Sequence, residues 1–221
     1  MQPLPPTFAA TRDGLHRLAC YLIAPARKAR TGRIGLRATG DGFGTPPFDD
    51  GTRIVVRGAH LVAGDRAASI TTLRDGATLV GIELSADPGV GAELPPFEPD
   101  AVLAVDAAAS LALGRWFAFG DAALARLRAE GPSVSEPELW PEHFDLAVVV
   151  KMPGGAGVNV GFSAGDAHSS EPYAYVGPHD MAGRDDPFWN APFGAVLTAR
   201  KLAGDPAAAD AFIAAGLSRL G

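Results

Sequence analysis

One cysteine, Cys20, stands in 221 residues. It has no partner for an internal disulfide, and such usage fits a chain kept in a reducing compartment. No stretch approaches roughly 18 uninterrupted apolar residues, which argues against a membrane-spanning helix. The opening MQPLPPTFAATRDG has neither the basic start nor the apolar run of a secretion signal, so a cytoplasmic location is expected. Lysine and asparagine are scarce, with three lysines against sixteen arginines and two asparagines. That usage resembles GC-rich bacterial coding and bears on origin rather than activity. Basic residues interleaved with aromatics are missing too, and the net charge is −6, so no nucleic-acid partner is expected.

What is present is ordinary globular material, 47% hydrophobic and 20% charged. A chain of this length buries a full core, and no polar linker divides it, so one α+β domain over residues 1–221 is expected. The charge is uneven. Residues 1–40 hold seven basic side chains (Arg12, Arg17, Arg27, Lys28, Arg30, Arg33, Arg37) against one acid, Asp13. Such a segment attracts anions. The simpler expectation is that it solvates a helix and the first strand and pairs with acids elsewhere in the fold.

Leu15, Leu18, Ala19, Leu22 and Ile23 follow helical spacing, which predicts a helix over Thr11 to Ala24, capped by Thr11 and ended or kinked by Pro25. Short strands are expected at Arg33 to Ala38, Thr52 to Arg57, His60 to Ala63, Ser69 to Leu73 and Thr78 to Leu84, with Arg74-Asp75-Gly76 as a hairpin turn and Gly58 as a bulge. The loop Gly40 to Gly51 is glycine-rich, but it lacks the Gly-Lys-Ser/Thr ending of a phosphate loop, so Phe43 and Phe48 read as anchors. After the proline-rich Glu93 to Asp100, two helices are expected at Asp106 to Phe119 and Asp121 to Ala129, with Trp116, Phe117 and Phe119 against a sheet. Asp205-Pro206 starts a last helix running to Leu220. The fold class is α+β, an antiparallel β-meander plus a second β-hairpin sheet with flanking helices.

The most informative stretch is Trp140 to Glu171, which places two of the five histidines among carboxylates. Asp145 to Val150 and Val158 to Phe162 read as a hairpin closed by a turn over Pro153 to Gly157. With Val150 opposite Gly157, Asp145 faces Phe162 and His143 faces Ala164. A third strand, Pro172 to Val176, leaves from the same end and carries His179 and Asp180 about 20 Å away, at roughly 3.3 Å per residue.

That register groups His143, Asp145, Asp166, His168 and Glu171. Imidazole with carboxylate suits a divalent metal ion such as zinc, manganese or iron, and two histidines with one carboxylate leave positions open for substrate. The expected ligands are His143, Asp145 and His168, with Glu171 or Asp166 as the base of a metal-assisted hydrolysis. The competing reading gives the same carboxylates to strand-end and turn hydrogen bonds. Gly161-Phe162-Ser163-Ala164-Gly165 fits the G-x-S-x-G pattern, which would make Ser163 a nucleophile with His143 or His168 as base. No helix is expected after it, as that chemistry requires. Phe188, Trp189, Phe193, Tyr173 and Tyr175 could wall a small-molecule pocket, in which case Trp189 stays partly open. A non-catalytic subunit would instead use the basic N-terminal and aromatic C-terminal segments as a partner surface.

The strings FDLAV (Phe144 to Val148) and EPYAY (Glu171 to Tyr175), with a G-x-I-x-L strand at Gly32 to Leu36 and a Gly-Thr-Pro loop, resemble a bacterial family of uncharacterised proteins. His143 before the strand and Pro172 depart from that pattern. The resemblance implies one domain and names no activity.

Overall fold

A computed structural model describes residues 3–131 and 133–220. The expected helix over Thr11 to Ala24 starts earlier and runs further. Helix α1, Phe8–Leu18, passes into a wider π-turn over Ala19–Ile23 and continues as α2, Ala24–Thr31, ended by left-handed Gly32. Thr11 is therefore not a cap of its own helix. It is buried inside α1, where its hydroxyl donates to the Ala104 carbonyl at 3.2 Å and accepts from the Asp106 amide at 3.0 Å. Pro25 does not end the run, because it comes just after the π-turn, whose widened backbone accommodates a residue without an N–H. Leu15, Leu18, Leu22 and Ile23 are fully buried, as their spacing predicts.

The meander forms as an antiparallel sheet in sequential order: β1 (Arg37–Ala38), β2 (Gly42–Gly44), β3 (Ile54–Arg57), β4 (His60–Ala63) and β5 (Arg66–Ser69). Gly58 is not a bulge. It opens the two-residue loop between β3 and β4 with φ 55°, as Gly64 (φ 63°) opens the next. Phe43, Ile54, Val56 and Leu61 bury one face, and Phe48 is buried with them. The expected strand at Thr78 to Leu84 and the hairpin turn at Arg74-Asp75-Gly76 are overturned. Helix α3, Leu73–Val80, takes the turn and the first residues of that stretch, and Ile82 to Leu84 follow it without forming a strand. Thr72 caps it by accepting the Asp75 amide, and the Asp75 carboxylate accepts the Thr71 and Thr72 hydroxyls. The capping pattern T-x-x-D outweighs the local turn signal of Asp-Gly.

Two expected helices are one. Helix α4, Ala107–Ala129, runs unbroken through Gly120, and Asp106 caps its start by accepting the Ala109 amide at 2.9 Å. Gly120 serves close packing instead of a break, since a Cβ there would lie 2.6 Å from the Phe162 ring.

The second sheet is also antiparallel, with strands β6 (Glu138–Trp140), β7 (Asp145–Lys151), β8 (Gly157–Ser163), β9 (Tyr173–Pro178) and β10 (Ala195–Thr198) in the order β10-β9-β8-β7-β6. The hairpin register differs by one residue from expectation. Val150 lies opposite Val158 and Asp145 opposite Ser163. The strands extend further toward the turn, which closes over Met152 to Ala156 with Gly154 and Gly155 at positive φ. Helix α5 (Ala199–Leu202) follows β10. Helix α6 (Pro206–Ser218) starts as its sequence predicts, with the Asp205 carboxylate accepting the Ala207 amide at 2.9 Å.

The fold is thus α+β, two five-stranded antiparallel sheets with flanking helices. The chain divides into two compact units. The N-terminal unit runs to Ala118 and takes in Leu139–Phe144; the C-terminal unit holds Phe119–Glu138 and Asp145–Gly221. Among the described residues no helix is long and apolar enough to cross a membrane.

Candidate functional site

The C-terminal unit's sheet has two unlike faces. Leu146, Val148, Val160, Phe162 and Val176 line one, and all are buried. On the other, the register sets Asp145, Ser163, Tyr173 and Thr198 in a row across β7, β8, β9 and β10, with Ala147, Gly161, Tyr175 and Val196 in the next row. Gly161 has a specific use there. A Cβ at this position would lie 2.7 Å from the Tyr175 ring and hydroxyl, so the glycine clears the space in which the phenol crosses β8. The Tyr175 hydroxyl thereby donates to the Asp145 carboxylate in a short hydrogen bond. Asp145 is buried at 7% exposure.

A second phenol–carboxylate pair sits beside the first. Tyr173 donates to Asp166 at 2.5 Å, and the two tyrosine rings lie 6.3 Å apart. Burial first, then the neighbouring carboxylates, raises both phenols above the ordinary tyrosine value, so both stay protonated donors at neutral pH. Phe193 completes the cluster, with centroids 6.4 Å from Tyr173, 6.4 Å from Tyr175 and 5.2 Å from the His168 ring, and it remains 39% exposed. The loop that carries Phe193 is held by Asn190, whose side-chain amide bonds the Val196 backbone in both directions, at 3.1 and 2.8 Å.

The residues singled out from sequence fall as follows. His143 lies in an exposed turn of the N-terminal unit, outside β7. Phe144 after it adopts φ 49°, so strand alternation stops at Asp145 and the expected single-face H-x-D on a strand does not form. His168 is exposed on its loop, edge-on to Tyr173 at 5.9 Å. Asp166 organises that loop, accepting the His168 and Ser169 amides at 2.8 and 3.2 Å. Glu171 accepts the Arg200 amide at 2.6 Å, at the start of α5. Among the described residues no three of His, Cys, Asp and Glu are grouped so as to hold a metal ion. Ser163 is buried, accepts the Gly165 amide at 3.1 Å, and is followed by a loop and β9 with no helix between. His179 lies at the opposite end as expected, its ring over Gly157 and its Nε2 3.0 Å from the Asn159 side-chain oxygen.

Trp189 is half-buried, and Arg184 lies 5.6 Å over its ring. Phe188 is engaged by Trp189 and Phe212 at 5.1 and 5.6 Å, with Arg219 above it at 4.4 Å. In the N-terminal unit, Arg17 pairs with Glu98, Arg30 with Asp50, and Lys28 bonds the Gly89 carbonyl, so much of the basic segment is matched inside its own unit. Cys20 is fully buried and donates to the Pro141 carbonyl at 3.0 Å; burial, then the charge of Glu142, pushes its thiol up to about 12. His16 stacks on Phe144 at 5.2 Å, its Nε2 3.2 Å from the Glu142 carbonyl, and burial lowers its pKa.

The pairing of Asp145 with Tyr175 is what sequence reasoning missed. Its signal is the alternation Tyr173-Ala174-Tyr175 opposite a strand that carries Gly161. No family model, curated protein or solved structure matches this chain.

Proposed function

We propose that this chain is a small-ligand-binding protein whose site is the tyrosine–carboxylate corner of the C-terminal unit. One observation carries the reading: a partly open Phe193 stands over two phenols that are each locked to a carboxylate. Rings with fixed polar groups at one end give a ligand both an apolar contact and an orientation. The ligand that fits presents an apolar or ring face to Phe193 and hydrogen-bonding groups toward His168 and Thr198. Binding without hydrolysis is favoured over the metal-assisted form. Asp166 and Glu171, the candidate bases, are engaged in loop and helix-start hydrogen bonds.

The test is a thermal-shift and saturation-transfer NMR screen of small polar aromatics, amino acids and sugars. Phe193→Ala and His168→Ala are run beside Val102→Ala, a change at an exposed position of the N-terminal unit. A hit that loses at least ten-fold in affinity in the first two and nothing in the third supports the reading. Hits indifferent to all three, or no hit at all, sink it. Melting with and without EDTA, with elemental analysis of untagged protein, decides the metal-assisted form: stoichiometric metal lost in His143→Ala or His168→Ala would restore it.

A further inference from the structure

The solvent side of the N-terminal unit's sheet carries an open groove. Val55 on β3 lies opposite Val62 on β4, and the two form the floor of an open groove of about 700 Å³. Arg53 and Arg57 stand on either side of Val55 in the alternation of the strand, so both point to the same face and both line the groove. His60, opposite Arg57, adds a third nitrogenous head at that end. Val55 is only 4% exposed although it belongs to the solvent side, whereas both arginines are exposed. The open apolar surface of the groove is therefore that of half-buried Val62, with Val55 packed beneath it, between two exposed guanidinium groups.

Charge accounting separates these arginines from their neighbours. Asp50, at one rim, is already taken: Arg30 lies 2.6 Å from its carboxylate, which also accepts the Thr52 amide and hydroxyl. Asp65, on the turn after Gly64, forms no ion pair with either groove arginine among the described residues. Arg53 and Arg57 themselves make no side-chain hydrogen bond or ion pair there, in a chain with 25 acids against 19 bases. Guanidinium groups left unpaired beside an apolar floor are suited to carboxylate recognition by paired N–H donors.

We infer that this groove binds a small organic dianion, a dicarboxylate with an apolar chain, one carboxylate on Arg53 and the other on Arg57 with the chain over Val55 and Val62. The two Cα atoms are four strand residues apart, about 13 Å at 3.3 Å per residue, which favours an extended ligand over a compact one such as inorganic phosphate. The site is independent of the tyrosine–carboxylate corner and lies wholly in the other unit.

The experiment titrates the full chain with succinate, adipate, suberate and inorganic phosphate at matched ionic strength, read by calorimetry and by backbone amide shifts. The expected result is saturable binding that strengthens at least ten-fold from succinate to suberate, with shifts centred on Val55 and Val62. Arg53→Gln and Arg57→Gln should each weaken suberate at least ten-fold, and Arg66→Gln, exposed on β5, should not. Should either arginine variant fail to fold, the wild-type shift map still decides. Absence of saturable binding, shifts that track ionic strength alone, phosphate binding as tightly as suberate, or equal affinity in all three variants overturns the inference.

Discussion

Replacing Gly161 by alanine should be unusually costly, and the cost should vanish when Tyr175 is removed. The new Cβ would lie 2.7 Å from the Tyr175 Cε1, Cζ and hydroxyl oxygen. Carbon atoms rest about 3.5–4.0 Å apart, so the ring has to retreat by roughly 1 Å. The retreat breaks the hydrogen bond to Asp145, whose carboxylate stays buried. A hydrogen bond to a charged group contributes about 1.5–3 kcal/mol, and crowding of a packed site adds about 1–3 kcal/mol. Against this, alanine restricts the unfolded chain and stabilises by about 0.4–1 kcal/mol where the backbone permits it. Gly161 has no positive φ, so the backbone does permit it. The destabilising terms win by about 3 kcal/mol, a fall in Tm of about 6–12 °C for a chain of this length.

The assay is a double-mutant cycle by urea denaturation, comparing wild type, Gly161→Ala, Tyr175→Ala and the double variant. In the Tyr175→Ala background the second change should be neutral or mildly stabilising. An equal cost in both backgrounds would refute the reasoning, because the clash would then lie with something other than the phenol.

Three further outcomes follow from other parts of the fold. Thr72→Ala removes the cap of α3 and should lower stability by about 1 kcal/mol, visible as an earlier urea midpoint with an unchanged slope. Burial holds the folded-state pKa of His16 below its ordinary value of 6.5, so the unfolded chain takes up the proton first: stability is present above that value and falls as pH drops through it. His16→Phe, which keeps the stack on Phe144, should flatten urea midpoints measured between pH 8 and pH 5. Cys20, buried and with its thiol pushed up to about 12, should react with a thiol reagent only at the rate of unfolding; rapid labelling of folded protein would contradict its burial.

Where local pattern and global packing agree, the fold was readable in the sequence. The α1 stripe, the β3 and β4 strands, the Asp205-Pro206 start of α6 and the core positions of Trp116 and Phe117 all follow from periodicity or cap chemistry. The failures share a cause. Asp75-Gly76, Gly120-Asp121 and Pro25 are each breakers or turn formers by local preference, and each is retained inside a helix by something outside its own dipeptide. For Asp75-Gly76 it is the Thr72 cap, for Gly120 the approach of Phe162, and for Pro25 a preceding π-turn. Propensity is worth about 1 kcal/mol for a helical glycine, a preference that tertiary context routinely overrides.

The candidate site shows the same competition at the level of register. Moving the pairing by one residue sets Asp145 opposite Ser163 instead of Phe162, and because strand side chains alternate, this decides which face the carboxylate occupies. With Phe162 as its partner, Asp145 would have shared the face that is in fact lined by Leu146, Val160 and Val176. In the observed register it shares a face with both tyrosines, and Gly161 on the intervening strand admits the phenol that reaches it. The expected metal ligands depended on His143 continuing the strand upstream of Asp145, and the left-handed Phe144 stops that continuation. Asp145 therefore meets a hydroxyl two strands away and not an imidazole two residues away. No spacing rule along the chain reports such a partner, since it is fixed by the length of the turn at Met152 to Ala156 and by the absence of one methyl group at Gly161.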